Sequence, residues 1–416
     1  MTIHRPQPME AVDSMKISVK LPRPHEGQRR VLNSNARFRV LMCGRRWGKS
    51  LISQSISIDG ILKGQRIAYI TPIYKLAKKF YDDIVERIPD DLVRTKNKAD
   101  LKIVLVTGGV LEFYTGENLD ALRGSKFHMV IIDEAAYIPN LKDGWLNSIR
   151  PTLADYRGSA LFISTPRGKD YFNELYMRGN DLLFPTWESF HYSSYTNPYL
   201  HKSEIDEAKA ETPKLVFEQE YLAIPSANAN AVISMEDIES HCMKDLLSER
   251  ETVSFGIDLS AGKNDPCVIV GLDELGYQTY FDRWLSLDFD TTYNKIEVLP
   301  PDVIKTVDAT GLGQPMLYEL EGRGVTNLNP ITFTLKTKTA MIQKMVLDIE
   351  QGNLWYNQHI ADELSIFEYR YTATGHIQYG NKVGGTNHDD AVIALALANE
   401  GKPIFANMFD SFEFID

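Results

Sequence analysis

Between residues 38 and 165 the chain alternates short apolar, β-branched runs with longer stretches of mixed polarity and helical character. The runs 38–42, 66–71, 102–106, 110–115, 128–133 and 160–165 have the length and composition of strands. Strands alternating with helices predict a mainly parallel sheet covered on both faces. Residues 167–230 break this pattern: they are aromatic and polar, contain Asn197-Pro198, and hold one amphipathic stretch over 202–221. The small-residue run 225–231 then reads as a connector. A second α/β pattern follows, with strands expected at 254–260, 267–273, 277–285 and 303–309 and helices at 337–350 and 388–399. The last dozen residues read as a poorly structured tail. The expected organisation is an α/β domain over 1–166, a linker or lid subdomain over 167–230, and a second α/β domain over 231–416.

Composition adds the class of molecule. A chain of 416 residues, 43% hydrophobic and 24% charged, is long enough for two or three globular domains. No apolar stretch approaches the roughly 18 residues that span a bilayer, and residues 1–16 show no apolar leader core. The three cysteines, Cys43, Cys242 and Cys267, are too scattered for a disulfide framework or a zinc site, so a reducing cytoplasm is the expected compartment. Charge alters the picture more. The chain carries a net charge of −11, which argues against a general nucleic-acid coat, yet residues 1–50 alone carry a net +8. That asymmetry fits either a basic contact surface or one local phosphate site.

The phosphate site has a sequence. Cys43-Gly44-Arg45-Arg46-Trp47-Gly48-Lys49-Ser50 follows an expected strand and opens a helical segment. A loop of this kind wraps phosphates with backbone N–H groups at a helix N-terminus. Gly48 allows close approach, Lys49 reaches the β- and γ-phosphates, and Ser50 offers a hydroxyl to Mg²⁺. Cys43 replaces the usual first glycine, and Arg45 and Arg46 are further phosphate candidates. The apolar run 129–132 ends in Asp133 and Glu134. In P-loop ATPases an acid there holds the same Mg²⁺, and a neighbouring glutamate orients or deprotonates the attacking water. Gln28 is either an adenine contact or a plain surface glutamine. Ser164-Thr165-Pro166 ends a strand where a γ-phosphate sensor would sit. Arg123, ten residues before Asp133, is either an arginine finger or an ion-paired surface residue.

The second α/β region carries acids at element ends. Asp258 and Asp308 close strands, and Asp389 and Asp390 begin the final helix. Carboxylates from separate elements can converge on two hard cations, Mg²⁺ or Mn²⁺, that stabilise in-line phosphodiester cleavage. Asp265 is near enough in sequence to Asp258 to join them. The plain alternative is a turn or cap role, with Asp389 as an N-cap.

Taken together, the motifs resemble one family, the large terminase subunit of tailed bacteriophages. They are PHEGQ at 24–28, the loop at 43–50, LRG at 122–124, VIIDEA at 130–135, FISTPRG at 162–168, SSYTNPYL at 193–200, FGIDLS at 255–260, VDATGLG at 307–313 and NHDDAVIALALA at 387–398. The resemblance implies an N-terminal ASCE-type, RecA-like P-loop ATPase domain and a C-terminal RNase H-like nuclease domain. It implies Mg-ATP on Lys49, Ser50 and Asp133, water activation by Glu134, and Arg123 as a finger acting between ring neighbours. It implies two nuclease metals on Asp258, Asp308, Asp389 and Asp390. The implied partners are double-stranded DNA, a small terminase subunit, the procapsid portal and further copies of the chain in a pentameric ring, with no membrane. The implied place is the host cytoplasm, docked on the procapsid during packaging and absent from the mature virion. Two other readings fit the residues: a helicase-nuclease of DNA repair or defence, and a non-catalytic scaffold that keeps the fold.

Overall fold

The computed structural model describes residues 19, 21–168, 170–226, 230–259, 266–285, 289–311, 313–371, 377–380 and 389–403. The chain divides into two compact units. One holds Met1–Pro166 and Tyr171–Tyr199, the other Arg167–Asp170 and Leu200–Asp416.

The first unit is built on eight strands: β1 (Phe38–Cys43), β2 (Arg66–Thr71), β3 (Val93–Asn97), β4 (Lys102–Leu105), β5 (Val110–Thr115), β6 (Met129–Asp133), β7 (Ser159–Ser164) and β8 (Trp187–Tyr192). Their order is β3-β4-β5-β2-β6-β7-β1-β8. The strands from β5 to β8 in this order are parallel, and β4 and β3 extend the sheet antiparallel at one edge. Side-chain parity explains why the sheet needs cover on both faces. Leu41, Ile67, Tyr69, Ile131, Leu161 and Ile163 share a core with Val31, Ile52, Ile58, Ala77 and Phe80, which come from helices. Opposite-parity residues Phe38 and Phe162 pack with Trp145 and Trp187 at ring separations of 4.9–6.1 Å. All six strand runs expected in this region are strands. β3 and β8 are additional: β3 is almost wholly exposed, and β8 is mostly half-buried, so neither carries a continuous apolar signal.

β8 also corrects the expected boundaries. It hydrogen-bonds along β1 from Phe38↔Trp187 to Cys43↔Tyr192. Residues 171–199 therefore complete the first unit, and residues 167–230 do not form a separate subdomain; the remainder of that stretch groups with the second unit.

The second unit has a sheet of β9 (Ser254–Asp258), β10 (Pro266–Leu272), β11 (Gln278–Leu285), β12 (Ile304–Asp308) and β13 (Leu328–Ile331), in the order β11-β10-β9-β12-β13. The first three run antiparallel, whereas β9, β12 and β13 run parallel. One face, through Phe255, Ile257, Ile269 and Val307, packs on Tyr293, Ile296, Met316 and Leu320. The other, through Val268, Val270 and Leu272, packs on the helices Leu335–Glu350 and Asp390–Gly401. Residues 391–398 of the last helix are all buried, and its alanines are what let it lie so close. At Gly256 an added Cβ would stand 2.0 Å from Ala394 O and 2.2 Å from Ala398 N. Strand and helix backbones thus meet where only glycine fits. The expected tail falls outside the described residues.

Gly256→Ala is expected to destabilise the second unit by about 3 kcal/mol, because the opposing atoms are backbone and cannot move aside. Thermal unfolding of the variant should show a midpoint several degrees lower, and an unchanged midpoint would contradict the packing.

Candidate active sites

Parallel pairing sets the first site. β6, β7 and β1 are neighbours, so their carboxyl ends present Asp133, Ser164 and the loop after Cys43 along one edge. Lys49 begins the helix Lys49–Leu62, and Gly48 caps it at φ 108°. A Cβ at Gly48 would stand 2.5 Å from Gln28 Nε2, so both dihedral and space require glycine.

Lys49 Nζ lies 3.5 Å from Glu134 Oε1. The other oxygen of Glu134 accepts from Ser164 Oγ at 3.2 Å. Glu134 itself is left-handed, φ 50° and ψ 46°, a conformation costing about 1 kcal/mol outside glycine. Asp133 is held at both oxygens, by Glu134 N–H at 3.1 Å and by Tyr69 OH at 2.5 Å. Burial pushes the Asp133 pKa up to about 6, the Glu134 charge adds to the rise, and the Tyr69 hydrogen bond and Lys49 oppose it. A solvated strand end does not describe this pair. Cation, carboxylates and hydroxyl form one interlocked polar cluster, and a γ-phosphate taking up Lys49 would release Glu134 from its ion pair. Thr165 adds a 3.4 Å contact to Tyr137 OH beside the same strand end.

The remaining loop residues divide by burial. Arg45 and Arg46 are exposed, Arg46 with φ 60°, and Ser50 is exposed in the first helical turn. Gly44 is buried, its N–H donating to Tyr192 O at 3.0 Å. Cys43 is buried, and burial pushes its thiol up to about 12, so it acts as packing. Trp47 is also buried, stacked on Tyr192 at 4.8 Å. Gln28 departs from the expectation of a surface glutamine: it is buried, its amide donating to Gly48 O at 3.1 Å and accepting from His25 N at 3.0 Å. Those bonds attach it to the loop. Arg123 is exposed and tied to Asp120 at 2.9 Å and to Ser148 Oγ at 3.3 Å, so within one chain it is an ion-paired surface arginine.

The second site is likewise set by parallel strands. β9 and β12 pair from Ile304↔Ser254 to Val307↔Ile257, which leaves Asp258 and Asp308 side by side at their ends. The helix Asp390–Gly401, packed across β9, brings Asp389 and Asp390 to the same place. Burial raises the Asp258 pKa well above the usual carboxylate range, and the charges of Asp390, Asp308 and Asp389 raise it further, while Lys338 lowers it. Lys338 Nζ is 3.9 Å from Asp389 Oδ2. Asp265 lies outside the described residues.

The cap reading of Asp389 fails on geometry. Asp389 occupies the N-cap position but makes no side-chain cap bond. Glu363, from the helix Gln358–Ser365, accepts from Ala391 N at 2.9 Å and Val392 N at 3.2 Å instead. A carboxylate borrowed from another helix thus satisfies the helix start, and the Asp389 side chain is not used for it. Carboxylates facing a shared space suit hard divalent cations, although among the described residues no three potential ligands already stand within reach of one ion. Tyr69, Lys338 and Glu363 were not legible as site residues. They lie on other elements, and no motif marks them.

The two units therefore define a fold class: a P-loop unit with the ASCE strand order, β7 lying between the phosphate-loop strand and the acidic strand, joined to a mixed-sheet α/β unit of RNase H-like fold. Residues 40–240 match the family described as terminase large subunit, T4likevirus-type, N-terminal. The large terminase subunit of Thermus phage G20c is 27% identical over 430 aligned positions, covering 90% of this chain and 87% of that protein. Among solved structures, the large terminase ATPase domain of Thermus phage P74-26 is 28% identical, with a TM-score of 0.43, over 48% of this chain and 93% of its own. The large terminase nuclease of thermophilic phage G20c is 23% identical, with a TM-score of 0.36, over 42% of this chain and 100% of its own. The relationship of this chain to the phage large terminase subunits, expected from its motifs, is thereby shown.

Tyr69→Phe removes a hydrogen bond that lowers the Asp133 pKa, so that pKa should rise. If catalysis needs ionised Asp133, the acid limb of kcat/KM for ATP moves to higher pH, by roughly half a unit to one unit. A pH–rate profile superimposable on the wild type would show that Tyr69 does not act through Asp133.

Proposed function

We propose that this chain is a packaging motor-nuclease, in which ATP hydrolysis by the first unit drives double-stranded DNA into a procapsid and the second unit cuts concatemeric DNA at the start and end of packaging. The observation that carries the reading is the cluster of Lys49, Asp133, Glu134 and Ser164 beside neighbouring parallel strand ends, on a chain that also gathers two aspartates from strand ends and two from a helix start.

In the first unit the loop amides and Lys49 would bind the phosphates, and Ser50 and Asp133 would hold the Mg²⁺ that accompanies ATP. Glu134, freed when the phosphate takes up Lys49, accepts the proton of the attacking water. Ser164 keeps one Glu134 oxygen oriented. In the second unit Asp258, Asp308, Asp389 and Asp390 would hold two divalent cations, which supply a nucleophile and stabilise the leaving oxygen. Lys338 supplies positive charge beside Asp389 where the DNA phosphate would approach. Arg123, exposed and paired with Asp120 within one chain, would serve as a finger toward a neighbouring copy in a pentameric ring. The motor docks on the portal in the host cytoplasm and receives DNA from a small subunit, and it is absent from the finished virion.

Two substitutions separate the activities. Lys49→Ala should lower ATP turnover by at least about a hundredfold and leave Mn²⁺-dependent plasmid nicking intact. Asp258→Asn should do the reverse, abolishing nicking while ATP turnover stays within about twofold of the wild type. A wild-type chain that neither hydrolyses ATP nor nicks DNA with Mg²⁺ or Mn²⁺ would overturn the reading. ATP-driven strand separation of a partial duplex would favour a helicase instead.

A further inference from the structure

The phosphate loop is held from behind by side chains, one peptide at a time. Ser194 Oγ donates to Arg45 O at 2.6 Å, and Asn197 Nδ2 donates to Arg46 O at 2.6 Å. His25 Nε2 meets Trp47 O at 3.0 Å, and Gln28 Nε2 donates to Gly48 O at 3.1 Å. Four successive carbonyls are thus each engaged by a different side chain.

In a planar trans peptide the carbonyl of one residue points opposite to the N–H of the next. Fixing the carbonyls of 45 to 48 therefore fixes the N–H directions of Arg46, Trp47, Gly48 and Lys49, away from the four donors. The loop also alternates handedness, with positive φ at Arg46 (60°) and Gly48 (108°), the geometry of a backbone nest that gathers amides around an anion. Trp47 N–H reaches back to Gly44 O at 3.4 Å and closes the turn.

Each donor is itself held. His25 and Gln28 form a reciprocal capping box at the start of the helix Glu26–Asn33. Gln28 N–H donates to His25 Nδ1 at 3.4 Å, which places the imidazole proton on Nε2, where it can donate to Trp47 O. Ser194 is fully buried. Asn197 accepts from Tyr199 N–H through Oδ1, which leaves its Nδ2 for the loop. Thr196 accepts the Trp47 indole N–H at 2.9 Å and donates to Ser193 O at 2.7 Å, joining the 193–197 turn to the loop a third time.

We propose that His25, Gln28, Ser194 and Asn197 are positioning residues for the nucleotide's phosphates, a four-point clamp that pins the loop carbonyls and so aims the amides of Arg46, Gly48 and Lys49 at the anion, while the Trp47 amide closes the turn on Gly44 O. The proposal rests on the reading of 43–50 as a nucleotide site and adds who shapes it. A loop pre-set in this way binds without first flipping its peptides, so the clamp lowers the ordering cost of binding. It also gives the SSYTNP segment a role in nucleotide binding, and gives Gln28 one that needs no adenine.

The test compares ATP with inorganic pyrophosphate, which shares the phosphates and lacks the base. The full chain carries Ser194→Ala together with Asn197→Asp; the second change keeps the acceptor for Tyr199 N–H and removes the donor to Arg46 O. The KM for ATP and the inhibition constant of pyrophosphate are expected to rise together by about tenfold, with kcat within about threefold of the wild type. Gln28→Met should show the same paired rise. Both constants staying within about twofold of the wild type overturns the clamp. A rise for ATP alone in Gln28→Met assigns that residue to the base and removes it from the clamp. Hydrogen exchange on the unchanged chain supplies a measurement that no folding defect can confuse. Pyrophosphate must slow exchange in 44–50 and in 193–198 together, and slowing in 44–50 alone overturns the proposal. A wild-type chain indifferent to both ATP and pyrophosphate defeats the nucleotide-site reading itself, whereas a responsive wild type with indifferent variants defeats only the clamp.

Discussion

Parallel pairing of buried strands is the constraint on which both candidate sites depend. Strands that run the same way bring their carboxyl ends to one edge, where the chain must turn and polar groups can collect. In the first unit β6, β7 and β1 deliver Asp133, Ser164 and the phosphate loop to that edge. In the second, β9 and β12 deliver Asp258 and Asp308. Each strand is anchored by an apolar stretch with little freedom to slide, because a shift of one residue would exchange the side chains presented to its two packed faces. Site geometry is thus inherited from the two cores.

That inheritance has an energetic counterpart. Carboxylates at the edge of a buried sheet are poorly solvated, and burial is the leading cause of the raised pKa at both Asp133 and Asp258. The first site relieves the strain of like charges internally, with Lys49 on Glu134 and Tyr69 on Asp133. The second gathers four aspartates with, among the described residues, Lys338 beside them. The difference fits their proposed chemistry: one site awaits an anionic nucleotide, the other awaits cations. It also recasts the overall charge of −11. Part of the acidity is concentrated where cations are wanted, and part of the basic excess near the N-terminus belongs to the phosphate loop.

The supporting groups come from distant stretches of chain. The carbonyls of the loop are engaged from residues 25–28 on one side and 194–197 on the other, roughly 150 positions later. The last helix is capped by Glu363 rather than by its own Asp389. In each case a polar backbone group that a turn exposes is satisfied by a side chain from another element, which leaves the nearer groups available to a ligand.

The strands expected between 38 and 165 and between 254 and 309, the phosphate loop, the acid pair at 133–134 and the aspartates at element ends could be read along the chain. Each depends on local pattern: apolar runs of strand length, glycine where the backbone must turn, a carboxylate directly after an apolar run. The place of β8 could not be read, because a half-buried edge strand with Glu188 and His191 looks like a polar connector until β1 pairs with it. Nor could the roles of Tyr69, Glu363 and Gln28, whose meaning lies in which backbone or carboxylate they meet. Local sequence sets which groups are present and in what order. The tertiary structure alone decides which distant donor satisfies which buried acceptor, because that choice is made by the packing of elements far apart in the chain.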